Sequence, residues 1–138
     1  MTERITSIVR TTGAPAAIGP YSQAVISDGT VWCSGQVALD PSTGALVPGG
    51  VSEQTVQVLA NLSAVLAAAG CAPRDVVRCT VFLRSMDDFA AMNAEYSKVF
   101  TQDPPARATV EVSRLPKDAL VEIDCVAVVG HARRLAAR

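Results

Sequence analysis

Residues 53–83 read EQTVQVLANLSAVLAAAGCAPRDVVRCTVFL. The first half carries Val58/Leu59, Leu62 and Val65/Leu66 at helical spacing, one apolar stripe of a helix from about Glu53 to Ala69. Ser52 is placed to cap its first turn, and Gly70 to close it in the left-handed conformation. The period then changes from 3.6 to 2. From Val76 to Leu83, Val77, Cys79, Val81 and Leu83 face one way, and Arg78 and Thr80 the other. A helix followed at once by an alternating strand sets the pattern for the rest of the chain.

Upstream, Thr6 to Arg10 reads as an edge strand that leads into Gly13–Ser22, a Gly/Pro-punctuated loop. Ala24–Ser27 and Thr30–Ser34 are two short strands. Asp28-Gly29 between them is a hairpin signal, because a type I′ turn needs positive φ. Gln36–Gly50, with Asp40-Pro41 and three glycines, is loop. Downstream, a second helix from about Asp87 to Phe100 aligns Phe89, Met92/Asn93, Tyr96 and Phe100 along one side. After the Pro104-Pro105 break come strands at Arg107–Val112 and Leu120–Val129, with Leu115–Asp118 in the turn between them. The order β-β-β, α, β, α, β-β predicts an α+β fold, a single mixed sheet with two helices on one face. The other face then lacks a helical cover within the chain, and packing such faces together between subunits would bury it.

At 138 residues, the chain fits a single domain over 1–138, with a core of about 5–129 and a tail at 130–138. Charged residues make up 18%, where about 25% is usual. The lack of an apolar run of membrane length argues against a membrane protein, and the charge deficit then suggests that another subunit covers some apolar surface. Net charge is −1 with the signs interspersed, and the only basic cluster is Arg133, Arg134 and Arg138 in the tail, read as a frayed, solvated end. A nucleic-acid binder would show a basic stripe or patch. Cys33, Cys71, Cys79 and Cys125 have no CxxC or other metal-ligand spacing. Such thiols suit a reducing compartment. Met1-Thr2-Glu3-Arg4 lacks the apolar core of a signal peptide, and the expected location is the cytoplasm.

Alternation places Arg107, Thr109 and Glu111 on one face of their strand, with Ala108, Val110 and Val112 on the other. In the last strand Glu122 and Asp124 share one face, and Val121, Ile123, Cys125 and Ala127 the apolar one. If the two strands pair as an antiparallel hairpin, Arg107 and Glu122 can meet on the same side. The seven residues between Val112 and Leu120 leave that register open. From spacing alone the two are most simply a structural ion pair, worth about 0–1 kcal/mol at a surface. His131 is the only histidine and lies near the end, so Ser/His/Asp or Cys/His catalysis has little support. Tyr21 can equally pack a loop. Glu111 and Asp124 read as partners of basic neighbours or solvent, and Lys117 and Asp118 as solvated turn residues.

Four stretches then occur together: Ala16–Ala24 (AAIGPYSQA); Ser34-Gly35-Gln36; Thr80–Leu83 followed by Asp88-Phe89 and Asn93; and Pro105–Asp118 (PARATVEVSRLPKD) running on to Val121-Glu122-Ile123. In this order, over about Ala14 to Val129, they resemble the signature of the Rid (YjgF-like) family. The resemblance implies a chorismate-mutase-like architecture, assembled as a homotrimer around a barrel-like centre with ligand pockets between neighbouring subunits. It also implies hydrolysis of 2-iminopropanoate and 2-iminobutanoate to 2-keto acids and ammonia, without organic cofactor or metal. Arg107 matches the family's arginine, whose planar fork suits bidentate carboxylate binding. Glu122 matches the acidic residue that orients and deprotonates water. Thr109 stands where backbone groups help to hold the carboxylate and the water. Tyr21 and the Ser34-Gly35 backbone match pocket-lining positions, with Phe89, Asn93 and Pro116 as walls. Two features depart from the family. The Phe100–Arg107 connector is shorter than in well-known members, and Pro104 replaces an aromatic that shapes the pocket entrance. Two other readings keep parts of this set. A non-catalytic trimeric module binding small carboxylates needs Arg107 but not Glu122. A translation inhibitor with ribonuclease activity calls for basic surface or stacking aromatics, where aromatics are 4% and net charge is negative.

Overall fold

Asp28 and Gly29 adopt the positive φ that a two-residue turn demands, 55° and 81°. They fold β2 (Ala24–Ser27) onto β3 (Thr30–Gln36), with Ser27 opposite Thr30. The computed structural model describes residues 6–136, apart from the side chains of Arg133 and Ala136. The Met1–Arg4 reading and Arg138 lie outside the described residues. Strand β1 (Thr6–Val9) adds antiparallel to β2. After α1 (Val51–Ala68), strand β4 (Val76–Leu83) enters the sheet, and α2 (Phe89–Val99) carries the chain to β5 (Ala106–Glu111), parallel to β4. Strand β6 (Val121–Val128) inserts between β3 and β4, antiparallel to both. The result is one mixed six-stranded sheet, ordered β1-β2-β3-β6-β4-β5. This is the expected α+β architecture.

Both helices cover one face. Val58, Leu62, Val65 and Leu66 of α1 and Met92 and Tyr96 of α2 form a single buried cluster with Val31, Cys33, Cys79, Val81, Leu83, Ile123 and Cys125 of the strands. Each large apolar side chain removed from water contributes about 1.5–3 kcal/mol. The opposite face stays open. Ile8, Val25, Trp32 and Val126 follow one another across β1, β2, β3 and β6, and Phe82 stands opposite Val110. Trp32 is 55% and Val110 43% exposed there.

Four local expectations are corrected. Ser52 does not cap α1. The helix begins at Val51 with Gly50 as N-cap, and the Glu53 carboxylate accepts the Gly50 N–H at 2.9 Å; Gly49, at φ 112°, makes the preceding turn. Val77 is not in the buried row. A bulge between Val76 and Arg78 against β6 puts Val76 in the core and leaves Val77 half-buried. The tail after Gly130 is not frayed over its described part, because it forms α3 (His131–Ala136), whose Ala132 N–H donates to Asp75 Oδ1 at 3.0 Å. Finally, β5 and β6 do not form a hairpin: β4 lies between them. The α2 crossover delivers β5 parallel to β4, and the chain returning through Leu115–Asp118 pairs with the other edge of β4.

Candidate active site

The residues singled out by the sequence fall into two groups, one on each face of the sheet. Arg107 stands opposite Cys79, on the helix-covered face of β5, an edge strand. Its guanidinium carbon lies 4.7 Å from the Tyr96 ring centroid and 5.6 Å from that of Phe89. Phe89, Asn93 and Tyr96 recur at i, i+4 and i+7 on α2, so helical spacing lines them up along the strand that carries the arginine. A cation over an aromatic face gains about 0.5–1 kcal/mol when exposed and about 2 when desolvated. No carboxylate pairs with Arg107 among the described residues. Thr109, two residues on and on the same face, has a buried Oγ1 without a hydrogen-bond partner, and so does the Tyr96 hydroxyl. Burial, with Cys79 beside it, pushes the Tyr96 phenol well above its ordinary range. Burial likewise pushes the Cys79 thiol up to about 11. Both groups stay neutral around the cation at ordinary pH.

Glu122 stands opposite Phe82, on the open face. Beside it β3 is bulged. Cys33 pairs with Cys125 but Gln36 with Ile123, so one extra residue is accommodated at Ser34-Gly35. The Ser34 N–H donates to the Gln23 carbonyl at 3.0 Å and its hydroxyl to that of Ser22 at 2.6 Å. Gly35 passes directly beneath the glutamate: a Cβ at that position would come 2.9 Å from Glu122 Cδ and collide with Oε2. A side chain at this position would push the glutamate carboxylate out of the place it holds. Tyr21, Gly35, Pro116, Lys117 and Glu122 line a cavity of about 180 Å³. The Tyr21 hydroxyl accepts the Ile18 N–H at 3.3 Å, which folds the loop over the cavity. Burial first, and then Asp124 on the same face, push the Glu122 carboxyl above its ordinary range. Asp124 is itself pinned, accepting the Thr80 N–H at 3.1 Å. A carboxylate of raised pKa is the stronger proton acceptor near neutral pH.

The structure therefore brings Tyr21, Gly35, Pro116 and Glu122 together with Ser34 beside them, and separately Arg107 and Phe89, with Thr109 on the same face of β5 and Asn93 between Phe89 and Tyr96 in the sequence of α2. It does not bring the two groups together within one chain. Arg107 and Glu122 are separated by β4 and by three residues along it, roughly 14 Å at ordinary strand spacings, and they face opposite sides. Three contributors were missed in the sequence. Tyr96 lies under Arg107. Lys117, read as a solvated turn residue, lines the Glu122 cavity at φ 58°. Gln23 is buried and braces the Gly13–Ser22 loop, donating to the Thr11 and Pro15 carbonyls at 3.0 and 2.8 Å and accepting the Thr11 N–H at 2.7 Å. Among the described residues no group of three or more His, Cys, Asp or Glu side chains is arranged to hold a metal ion.

The chain is similar to known proteins over most of its length. Residues 11–129 match the family model described as endoribonuclease L-PSP. A RutC family protein of Synechocystis sp. is 54% identical over 88% of this chain and 95% of its own. A mouse protein named 2-iminobutanoate/2-iminopropanoate deaminase is 52% identical over 94% of this chain and 96% of its own. Among solved structures, a protein of unknown function of the conserved Rid family from Yersinia pestis superposes with a TM-score of 0.88 at 44% identity, covering 91% of this chain and 100% of that one. E. coli TdcF with bound serine superposes at 0.85 and 40% identity, covering 88% and 98%. On the evidence of sheet order, matched residues and relatives alike, the chain belongs to the endoribonuclease L-PSP family, which is the Rid (YjgF-like) family.

Proposed function

We propose that this protein hydrolyses reactive short-chain 2-imino acids, 2-iminopropanoate and 2-iminobutanoate, to 2-keto acids and ammonia. The observation that carries the reading is a guanidinium beside two aromatic rings, with no carboxylate on it among the described residues, and a half-buried glutamate of raised pKa. They occur in a chain about half identical to mammalian proteins named for that reaction. The two groups serve one substrate if the site lies between subunits of a homotrimer. One protomer supplies Arg107, with Thr109, Phe89 and Asn93. Its neighbour supplies Glu122, Tyr21, the Ser34-Gly35 backbone and Pro116. The open apolar face and the low charge content support such an assembly.

The substrate carries a carboxylate beside its C=N bond. Arg107 donates two parallel hydrogen bonds to that carboxylate, and a hydrogen bond to a charged partner is worth about 1.5–3 kcal/mol. Glu122 takes a proton from water as the water oxygen bonds to the imine carbon. That proton passes to the imine nitrogen to give the carbinolamine; the carbinolamine hydroxyl proton then moves by way of Glu122 to the same nitrogen, the C–N bond breaks as the C=O bond forms, and the 2-keto acid leaves with ammonia. Water is the only co-reactant. The E. coli neighbour, solved with serine bound, shows that this fold accepts a small amino acid elsewhere in the family. No described helix is long and apolar enough to cross a membrane, and we place the activity in the cytoplasm. A ribonuclease reading finds no basic stripe in a chain of net charge −1.

Generating the imines in situ with an amino-acid oxidase and trapping them with semicarbazide tests the reading. Wild type is expected to divert imine from the trap. Arg107→Ala should lose nearly all activity, while Glu122→Gln should still bind keto acid but turn over about 10²–10⁴-fold more slowly. A wild type that leaves trapping unchanged while binding keto acid would make the protein a binding module instead.

A further inference from the structure

We infer that Tyr96 is a positioning residue, whose ring sets the plane in which the Arg107 guanidinium meets the substrate carboxylate. This rests on the carboxylate-binding role of Arg107 proposed above and deepens it. Arg107 lies on an edge strand, and a long, flexible side chain there would otherwise sweep through solvent. Tyr96 is 6% exposed, and its ring centroid lies 4.7 Å from the guanidinium carbon, against 5.6 Å for the more exposed Phe89. The Tyr96 ring is itself braced by Phe100, at 4.5 Å between centroids and 39° of tilt. Of the two rings beside the cation, Tyr96 is thus both the nearer and the better fixed. The Tyr96 hydroxyl is buried beside Cys79, the β4 partner of Arg107, so the ring faces the sheet and not solvent. Orienting the fork before substrate arrives lowers the cost of binding without adding a contact to the substrate.

The experiment measures the affinity of the product 2-oxobutanoate by calorimetry, alongside KM, kcat and Tm. Tyr96→Leu is expected to weaken 2-oxobutanoate binding and raise KM by about 5- to 30-fold, the equivalent of about 1–2 kcal/mol, with kcat changed far less. Tyr96→Phe, which keeps the ring, should stay within about twofold. A merely structural tyrosine would lower Tm and leave affinity and KM where they are. Ring-current displacement of the Arg107 Nε–H resonance in the wild-type protein gives a readout that does not depend on any variant folding, and its absence would overturn the inference. So would equal 2-oxobutanoate affinity in wild type and Tyr96→Leu. A wild type that binds 2-oxobutanoate but hydrolyses no imine would sink only the catalytic reading, because the comparison of affinities stands without turnover. A wild type that binds no 2-keto acid would sink the role of Arg107 and this inference together.

Discussion

Glu122 occupies a position that costs the fold stability. Burial first, and Asp124 second, hold its carboxyl pKa above the ordinary value. The native chain therefore binds this proton more tightly than the unfolded chain does. The stability linked to it is present below the unfolded-state pKa and is lost as pH rises through the folded one. At neutral pH the ionised side chain works against folding, as expected of a group held for chemistry. Glu122→Gln should accordingly melt higher than wild type at pH 7, by roughly 1–4 °C, with the difference closing below the ordinary carboxylate range. A variant that melts lower at pH 7 would contradict this account of the site. Alternation and the family motifs made Arg107, Thr109 and Glu122 legible as residues and gave the alternation within each strand, but not that Arg107 and Glu122 face opposite sides of the sheet. They did not reveal Tyr96, because helical spacing reports that a side chain faces the core and not which strand residue it meets there.

At the scale of elements, the strongest sequence signals named the right structures, and the errors lie at their ends. Gly70, at φ 79°, closes α1 as read, while its start was misplaced by two residues. Ser52 is the better capping residue by type, yet Gly49 and Gly50 turn the chain early enough for Glu53 to reach back instead. Glu53→Ala should cost about 1 kcal/mol in chemical denaturation, and Ser52→Ala should be neutral within error. The reverse ranking would restore Ser52 as the cap. The bulges at Val77 and Ser34-Gly35 were illegible for a related reason: one inserted residue shifts the period of 2 without changing composition. The second bulge is the element that brings Gly35 beneath Glu122.

For the whole molecule, local patterns could give element order but not strand order. That β6 enters between β3 and β4 follows from pairings distant in sequence; it puts β4 between Arg107 and Glu122, and their registers, three residues apart on β4, turn them to opposite faces. On the proposed reading, a single chain then holds only one half of each site. A charge in the open face should expose that dependence: Val110→Lys, at a position 43% exposed in the isolated chain, is expected to lower the sedimenting mass from three chains to one and abolish imine hydrolysis. A fully active monomer would contradict it. The most direct measurement of the central claim is complementation between two dead variants. Arg107→Ala and Glu122→Gln, each nearly inactive, are unfolded together, refolded as mixed trimers and assayed for imine hydrolysis. Sites that take Arg107 from one protomer and Glu122 from the next predict recovery of about a quarter of the wild-type rate by random assortment; a mixture as inactive as its two components would show that the two side chains do not combine across subunits.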